Sequence, residues 1–183
     1  MILDRKYFEE KAKEFKTKID KIKVCAFDVD GILTDGKVYW SGEEVGWNRS
    51  SHTRDGYGLK LLQEAGLKVG IITGGDSLSV VKRYKENLGL DFLYKGNEDK
   101  VDAIRDLVKQ GYDPAEIFYM GDELFDIPLL KIAGFSATVE AASPEVLESV
   151  DYIAKMPSGE GCVREVIDII RYAKEIFPKL REF

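Results

Sequence analysis

The sequence is poor in the residues whose spacing often betrays a function. It holds two cysteines and one histidine among 183 residues. Cys25 lies in an apolar run and Cys162 just ahead of a helical pattern, which fits neither a disulfide framework nor a zinc-ligand spacing, so both read as packing residues. No apolar run approaches the length of a membrane span, and the charged N-terminus lacks the apolar stretch of a signal peptide. The expected location is therefore the cytoplasm, with no membrane partner. Basic stretches are missing too, and a net charge of −6 without them argues against a nucleic-acid partner. Repeats and low-complexity tracts are absent. What remains, 44% hydrophobic and 33% charged, is the composition of one soluble domain with a substantial core.

Along the chain, Phe8, Ala12, Phe15, Ile19 and Ile22 recur at helical spacing, which predicts an amphipathic helix over 1–21 packed on the domain or on another subunit. Val24–Phe27 is too short for a core helix and reads as a buried parallel strand. Lys37–Trp40 and Glu44–Trp47 flank Ser41-Gly42, which predicts a β-hairpin insertion at about 37–50. From there helix and strand alternate: helix from Leu59 to Gly66, strand 67–73, helix 77–88, strand 92–94, helix 100–110, strand 117–120. Helix 124–133, strand 135–139, a short helix from Pro144, strand 152–154 and a helix from Val163 to Phe177 complete the series. The fold class this implies is α/β, a doubly wound parallel sheet with helices on both faces. The domain is expected over 22–177, with a tail at 178–183.

The chemistry collects where strands end. Asp28 and Asp30 follow the first strand, and positions two apart on an extended chain share a face, so two carboxylates stand close enough to call for a hard cation or a shared proton. Gly31 lets the backbone turn beside them. Ile71-Ile72-Thr73-Gly74-Gly75 places a hydroxyl and approachable N–H groups after a second strand, as a phosphate cradle needs. Lys100 opens a helix and is a compact cation for a phosphoryl oxygen. Gly121-Asp122-Glu123-Leu124-Phe125-Asp126 ends a third strand in carboxylates suited to Mg²⁺. Each signal alone is commonplace: Asp-x-Asp is often a solvated loop, Thr-Gly-Gly a turn, Lys100 a surface lysine. Four in sequence, each at a strand end, point to phosphoryl transfer.

The set Asp28-x-Asp30-Gly31, Thr73, Lys100 and Gly121-Asp122-x-x-x-Asp126 resembles the haloacid dehalogenase superfamily of aspartate-nucleophile phosphatases. More closely, Asp28-Val-Asp-Gly-x-x-Thr-Asp-Gly36, Arg54-Asp55-Gly56-Tyr57-Gly58, Ile72-Thr73-Gly74 and Gly159-Glu160-Gly161-x-x-Arg164-Glu165 resemble the 3-deoxy-D-manno-octulosonate 8-phosphate phosphatase family and its nonulosonate 9-phosphate relatives. The resemblance covers about residues 22 to 175 and implies a nucleophile, Asp28, and an acid/base, Asp30. It implies Mg²⁺ held by Asp28, the Asp30 carbonyl and Asp122; phosphate contacts from Thr73, Gly74 and Lys100; and Asp126 orienting Asp122 or Lys100 from behind. Glu123 stands where relatives usually carry Asp. The resemblance also implies no cap domain, a homotetramer built through the hairpins, Gly159-Glu160-Gly161 as a lid, and a phosphorylated sugar acid destined for lipopolysaccharide as substrate.

Substrate contacts carried over by position are His52, Thr53, Arg54, Asp55, Gly56, Lys60, Gly75 and Arg83. Relatives acting on the octulosonate phosphate usually have Arg at the positions of Gly75 and Lys60, and the loss of a planar fork at 75 removes a grip on a carboxylate. Arg49, in a segment a few residues longer than usual, is a candidate replacement together with Lys60 and Arg83. His52 reads as a loop residue, since the mechanism already has its acid and base. Alternatives are a nonulosonate 9-phosphate phosphatase, a broad sugar phosphatase and, from a different class, a non-catalytic oligomerisation module. A scaffold needs none of Asp28, Asp30, Thr73, Lys100 and Asp122. A phospho-acceptor signalling domain fits less well, because Asp30 would promote loss of the phosphate it had to keep.

Overall fold

The computed structural model describes residues 3–178; the first two residues, and the expected tail from 179 on, lie outside it. Six strands form one parallel sheet in the order β5-β4-β1-β6-β7-β8: β1 (Val24–Phe27), β4 (Lys68–Ile72), β5 (Phe92–Tyr94), β6 (Ile117–Met120), β7 (Phe135–Val139) and β8 (Tyr152–Ala154). The chain moves outward from β1 through β4 to β5, then returns to β6 and continues the other way. Strand β1 therefore lies where the winding reverses, and in such sheets the crevice beyond the strand ends is the natural ligand site.

Alternation along β1 sets the two cores. Cys25 and Phe27 face one core with α1 (Arg5–Ile19), α2 (Thr53–Glu64), α3 (Leu78–Val80, continuing as a π-type helix over Val81–Asn87) and α7 (Cys162–Ala173). Val24 and Ala26 face the other, under α4 (Val101–Lys109), α5 (Ile127–Ile132) and α6 (Pro144–Leu147). Both thiols are buried, and burial raises each to about 12, far from reactive.

The N-terminal helix packs on its own domain. Asp4 caps α1, Phe8 stacks on Tyr172 and Phe15 tilts against Phe135, while Ala12, Ile19 and Ile22 are buried. Tyr7 and Tyr152 share a hydrogen bond of 2.5 Å between their hydroxyls, and Tyr152 donates to buried Glu165.

Among the boundaries that differ from the periodicity, three have a clear cause in the packing or the turns. Helix α2 begins at Thr53 rather than Leu59, because Gly56 and Gly58 occupy its buried side and hide the apolar pattern; Gly58 packs against Ile167 and Gly56 against Arg83. Helix α7 stops at Ala173, four residues before the expected end: Glu175 turns left-handed at φ 58° and the Ile176 N–H donates back to the Arg171 carbonyl at 2.8 Å. The hairpin pairs β2 (Tyr39–Trp40) with β3 (Trp47–Asn48), so the second strand starts later than Glu44. Glu43–Val45 form a turn, which Gly46 closes by donating its N–H to the Gly42 carbonyl at 2.7 Å.

Candidate active site

Parallel register brings the three chemical strand ends together. Phe27 lies beside Ile71 on one side and Met120 on the other, so Asp28, Thr73 and Asp122 emerge from adjacent strands. The strand itself ends at Phe27. Asp30 therefore stands in a turn over Val29–Leu33 rather than on a pleated face, with Gly31 at φ 88°. A Cβ at Gly31 would run into the Asp122 carboxylate, so this turn demands glycine twice over.

At the centre is a buried ammonium. Lys100 Nζ lies 2.8 Å from Asp28 Oδ2, 2.6 Å from Asp126 Oδ1 and 3.2 Å from the Tyr119 hydroxyl, and 4.7 Å from the centroid of the Phe125 ring. Asp28 Oδ1 accepts the Val29 N–H at 2.7 Å, which leaves the carboxyl fixed at both oxygens. Burial pushes the Asp28 carboxyl up to about 6 against the pull of Lys100. Tyr119 is the residue that strand periodicity conceals: it reads as core, yet its hydroxyl donates to Asp126 Oδ1 at 2.5 Å. Its one legible signal is a polar tip three residues before Asp122 in a strand buried throughout.

Asp28, Asp122 and Asp126 offer carboxylate oxygens within 4.8 Å of one another. The three are not equivalent. Asp126 is saturated, since Oδ1 takes Lys100 and Tyr119 while Oδ2 accepts the Asp122 and Glu123 N–H groups, both at 3.0 Å. Asp122 Oδ1 is buried with no partner. Burial first, then Asp28 and Asp126, raise the Asp122 carboxyl to about 8. An orphaned buried oxygen beside two further carboxylates is the donor set of a hard divalent cation, so the residues present fit Mg²⁺. Glu123 is exposed and folds back to accept the Leu124 N–H.

Thr73 is buried, and its Oγ1 accepts the Gly75 N–H at 3.2 Å, ordering the Thr-Gly-Gly turn. Asp30 Oδ1 accepts from Thr34 at 3.3 Å and lies 2.6 Å from Arg49 Nε. Of the residues carried over as substrate contacts, Asp55 and Gly56 are buried at the start of α2, and His52 precedes them with a buried, unpartnered Nδ1. Arg83 lies over Gly56, its Nε also buried and unpartnered. Thr53, Arg54 and Lys60 are exposed, and Arg54 lines a separate cavity of about 160 Å³ with Phe8, Met156 and Arg164. Tyr84, unremarked in the sequence, adds a buried hydroxyl without a partner.

Asp55 carries a testable cost. Its Oδ1 accepts the Arg164 N–H at 2.8 Å while Oδ2 has no donor, and burial raises the carboxyl to about 6 despite His52, Arg54 and Arg164. Below about pH 3 the group is neutral in folded and unfolded chains alike; above about pH 6 folding must bury its charge, a penalty of about 3 kcal/mol. Asp55→Asn should therefore gain stability relative to wild type between pH 4 and pH 8. Thermal unfolding of both proteins at the two pH values checks this, and an identical pH dependence refutes it.

The Gly159-Glu160-Gly161 segment is docked rather than raised. The Gly159 N–H donates to the Ile32 carbonyl at 3.2 Å, and a Cβ there would lie 2.5 Å from the Asp35 nitrogen. Cys162 Sγ donates to the same carbonyl at 3.2 Å, so the segment braces the turn that carries Asp30. Among the described residues no cap domain lies over the strand ends. On the hairpin, Val38, Tyr39, Trp40, Val45 and Trp47 are all exposed.

The chain is similar to known proteins over most of its length. A family model described as haloacid dehalogenase-like hydrolase matches residues 90–167. The 3-deoxy-D-manno-octulosonate 8-phosphate phosphatase of Salmonella typhi is 36% identical over 161 residues, 86% of this chain and 84% of that protein. Among solved structures, the phosphatase of the same name from Moraxella catarrhalis, in complex with magnesium, phosphate and the sugar acid, superposes with a TM-score of 0.82 at 34% identity, covering 88% of this chain and 92% of that one. The cobalt-bound enzyme from Haemophilus influenzae gives 0.80 at 34% identity, covering 86% and 92%. Identity of this extent over nearly whole chains, on a shared capless fold, shows kinship: the chain belongs to the 3-deoxy-D-manno-octulosonate 8-phosphate phosphatase family of haloacid dehalogenase-like hydrolases.

Proposed function

We propose that the protein is a Mg²⁺-dependent phosphomonoesterase that hydrolyses 3-deoxy-D-manno-octulosonate 8-phosphate, a step toward cell-surface lipopolysaccharide. The observation that carries this reading is the buried Asp28–Lys100–Asp126 group with the orphaned Asp122 oxygen beside it. Burying three carboxylates around one ammonium is costly, and an oligomerisation module has no use for it.

The residues divide the chemistry as follows. Asp28 attacks phosphorus in line, forming an aspartyl-phosphate as the sugar oxygen leaves; one hard displacement becomes two easier ones. Asp30 gives its proton to the leaving oxygen, then takes one from the water that hydrolyses the aspartyl-phosphate. Thr73, the Gly74 backbone and Lys100 receive the equatorial phosphoryl oxygens. Asp28, Asp122 and the Asp30 carbonyl would hold Mg²⁺, and Asp126 holds Lys100 and the 122–123 backbone in place. When bound, the ion draws charge from the phosphoryl oxygens. His52, Asp55 and Arg83, with their unpartnered buried atoms, await the sugar.

The test is phosphate release with Mg²⁺ from a panel of octulosonate 8-phosphate, nonulosonate 9-phosphates and neutral hexose and pentose phosphates. The expected preference for the octulosonate is about a hundredfold, roughly 2.7 kcal/mol of transition-state discrimination. Equal slow rates on all would favour a broad phosphatase, and no release from any would refute the reading.

We also propose a cytoplasmic homotetramer joined through the hairpins. A two-stranded ribbon is marginal alone, and the exposed Tyr39, Trp40 and Trp47 form an apolar surface suited to a second copy. None of the described helices is long and apolar enough to cross a membrane. Sedimentation should give a tetramer for wild type and smaller species for Trp40→Ser/Trp47→Ser; a wild-type monomer removes the proposal.

A further inference from the structure

A cavity of about 460 Å³ lies between the hairpin stem and α3, lined among others by Arg49, Ser79, Lys82, Arg83 and Tyr84. Three of its lining residues are cations and none is a carboxylate, in a chain whose net charge is −6. Lys82 pairs with Glu86 at 2.7 Å, but the two guanidinium groups keep donors in reserve. Arg83 Nη1 donates to Asn87 at 2.7 Å while its Nε is buried and unpartnered. The Tyr84 hydroxyl is buried without a partner, and the charges acting on it are those of Arg83, Asp30, Asp55 and Arg49. Val45, Leu78 and Val80 make much of the wall apolar, and the cations have no lining carboxylate to balance them, which favours a ligand that carries negative charge beside an apolar body.

Arg49 stands between this cavity and the acid/base. Its side chain is only 8% exposed. Nη1 donates to the hydroxyls of Ser77 and, at 3.3 Å, Ser79, which fix the plane of the guanidinium with neutral acceptors. Nε is ion-paired with Asp30 Oδ1 at 2.6 Å, although its N–H makes no well-aligned hydrogen bond. No described residue accepts from Nη2. With Nη1 on the two serines and Nε beside Asp30, Nη2 is the donor left for a ligand carboxylate. Nη2 points toward Gly75: a Cβ at that glycine would lie 3.7 Å from Nη2 and 3.3 Å from Asp30 Oδ2. A side chain at 75 and the Arg49 guanidinium would therefore reach for one volume.

We infer that Arg49 is the specificity-determining residue that receives the carboxylate of the sugar acid, at a position beside Gly75 that a long side chain there would fill. This inference rests on the acidic-sugar reading above. Ser77 and Ser79 are its positioning residues.

The experiment compares octulosonate 8-phosphate with its C1 carboxamide, a group of nearly the same shape with no charge and one acceptor oxygen fewer, on the enzyme with Mg²⁺. Arg49→Ala should lower kcat/KM for the acid by about thirtyfold, chiefly through KM, and bring the acid-to-amide ratio close to one. Gly75→Arg alone should impair the enzyme, since two guanidinium groups then compete for one place. Arg49→Ala/Gly75→Arg should recover at least about tenfold of the lost preference, a gain that a merely structural role for Arg49 cannot produce. An Arg49→Ala enzyme that loses kcat equally on both substrates, with no rescue from position 75, would show Arg49 acting only through Asp30 and overturn the inference. A retained preference in that variant overturns it as well. A wild-type enzyme indifferent to the charge would instead bring down the acidic-sugar reading itself.

Discussion

Asp28→Asn should lower kcat by on the order of 10⁴-fold or more while leaving the folded protein about as stable as wild type. The loss is large because the amide is not a nucleophile toward phosphorus, and no neighbour stands in for it: Asp126 is consumed by four hydrogen bonds, and Asp30 is turned toward Thr34 and Arg49. The tolerance has a separate cause. Asp28 makes two contacts, one with the Val29 N–H and one with Lys100, and an amide oxygen keeps one of them. Losing the other costs about 1–2 kcal/mol, but the substitution also removes a charge that burial and Asp126 already disfavour. The two effects oppose each other, so the melting temperature should move by a few degrees at most. Phosphate release at saturating substrate, with thermal unfolding on the same samples, reads both. Turnover within tenfold of wild type would refute the nucleophile assignment.

The parts of this architecture that were legible in the sequence are those written in short range. Strand β1 and the acidic turn after it, the Thr73-Gly74-Gly75 turn and the Gly121-Asp122 strand end announce themselves as apolar runs that stop at polar residues. Parallel register does the rest, because strands of similar length put their ends side by side. Less legible were features that exist only between distant segments. Tyr119 and Tyr84 look like core aromatics until the fold supplies carboxylates and guanidinium groups around their hydroxyls. The start of α2 was hidden because Gly56 and Gly58 make room for Arg83 and Ile167, so close packing erased the periodicity. Arg49 could be named as a candidate from sequence, but its ties to Ser77, Ser79 and Asp30 come from elements tens of residues apart.

The other large effect belongs to Lys100. Lys100→Met keeps most of the length of the side chain and deletes its charge, leaving Asp28, Asp122 and Asp126 without the ammonium that holds two of them. Breaking a buried ion pair from one side costs about 3–5 kcal/mol, because the partner charge remains buried. In a domain of this size that corresponds to a melting temperature lower by roughly 10 °C. Turnover should fall as well, by about 10²–10³-fold, since a fixed cation aimed at the phosphoryl group is lost. Two further measurements separate electrostatics from packing. Mg²⁺ should raise the melting temperature of Lys100→Met more than that of wild type, because the ion then meets a carboxylate group with nothing else to balance it. Lys100→Met/Asp126→Asn should be more stable than Lys100→Met alone, since the second substitution deletes the charge the first one stranded. If the double variant were instead the less stable of the two, loss of the Asp126 bonds to the Asp122 and Glu123 N–H groups and to Tyr119 would outweigh the stranded charge. Asp126 would then be above all the brace of the 122–126 turn, and Lys100 a cation committed to Asp28.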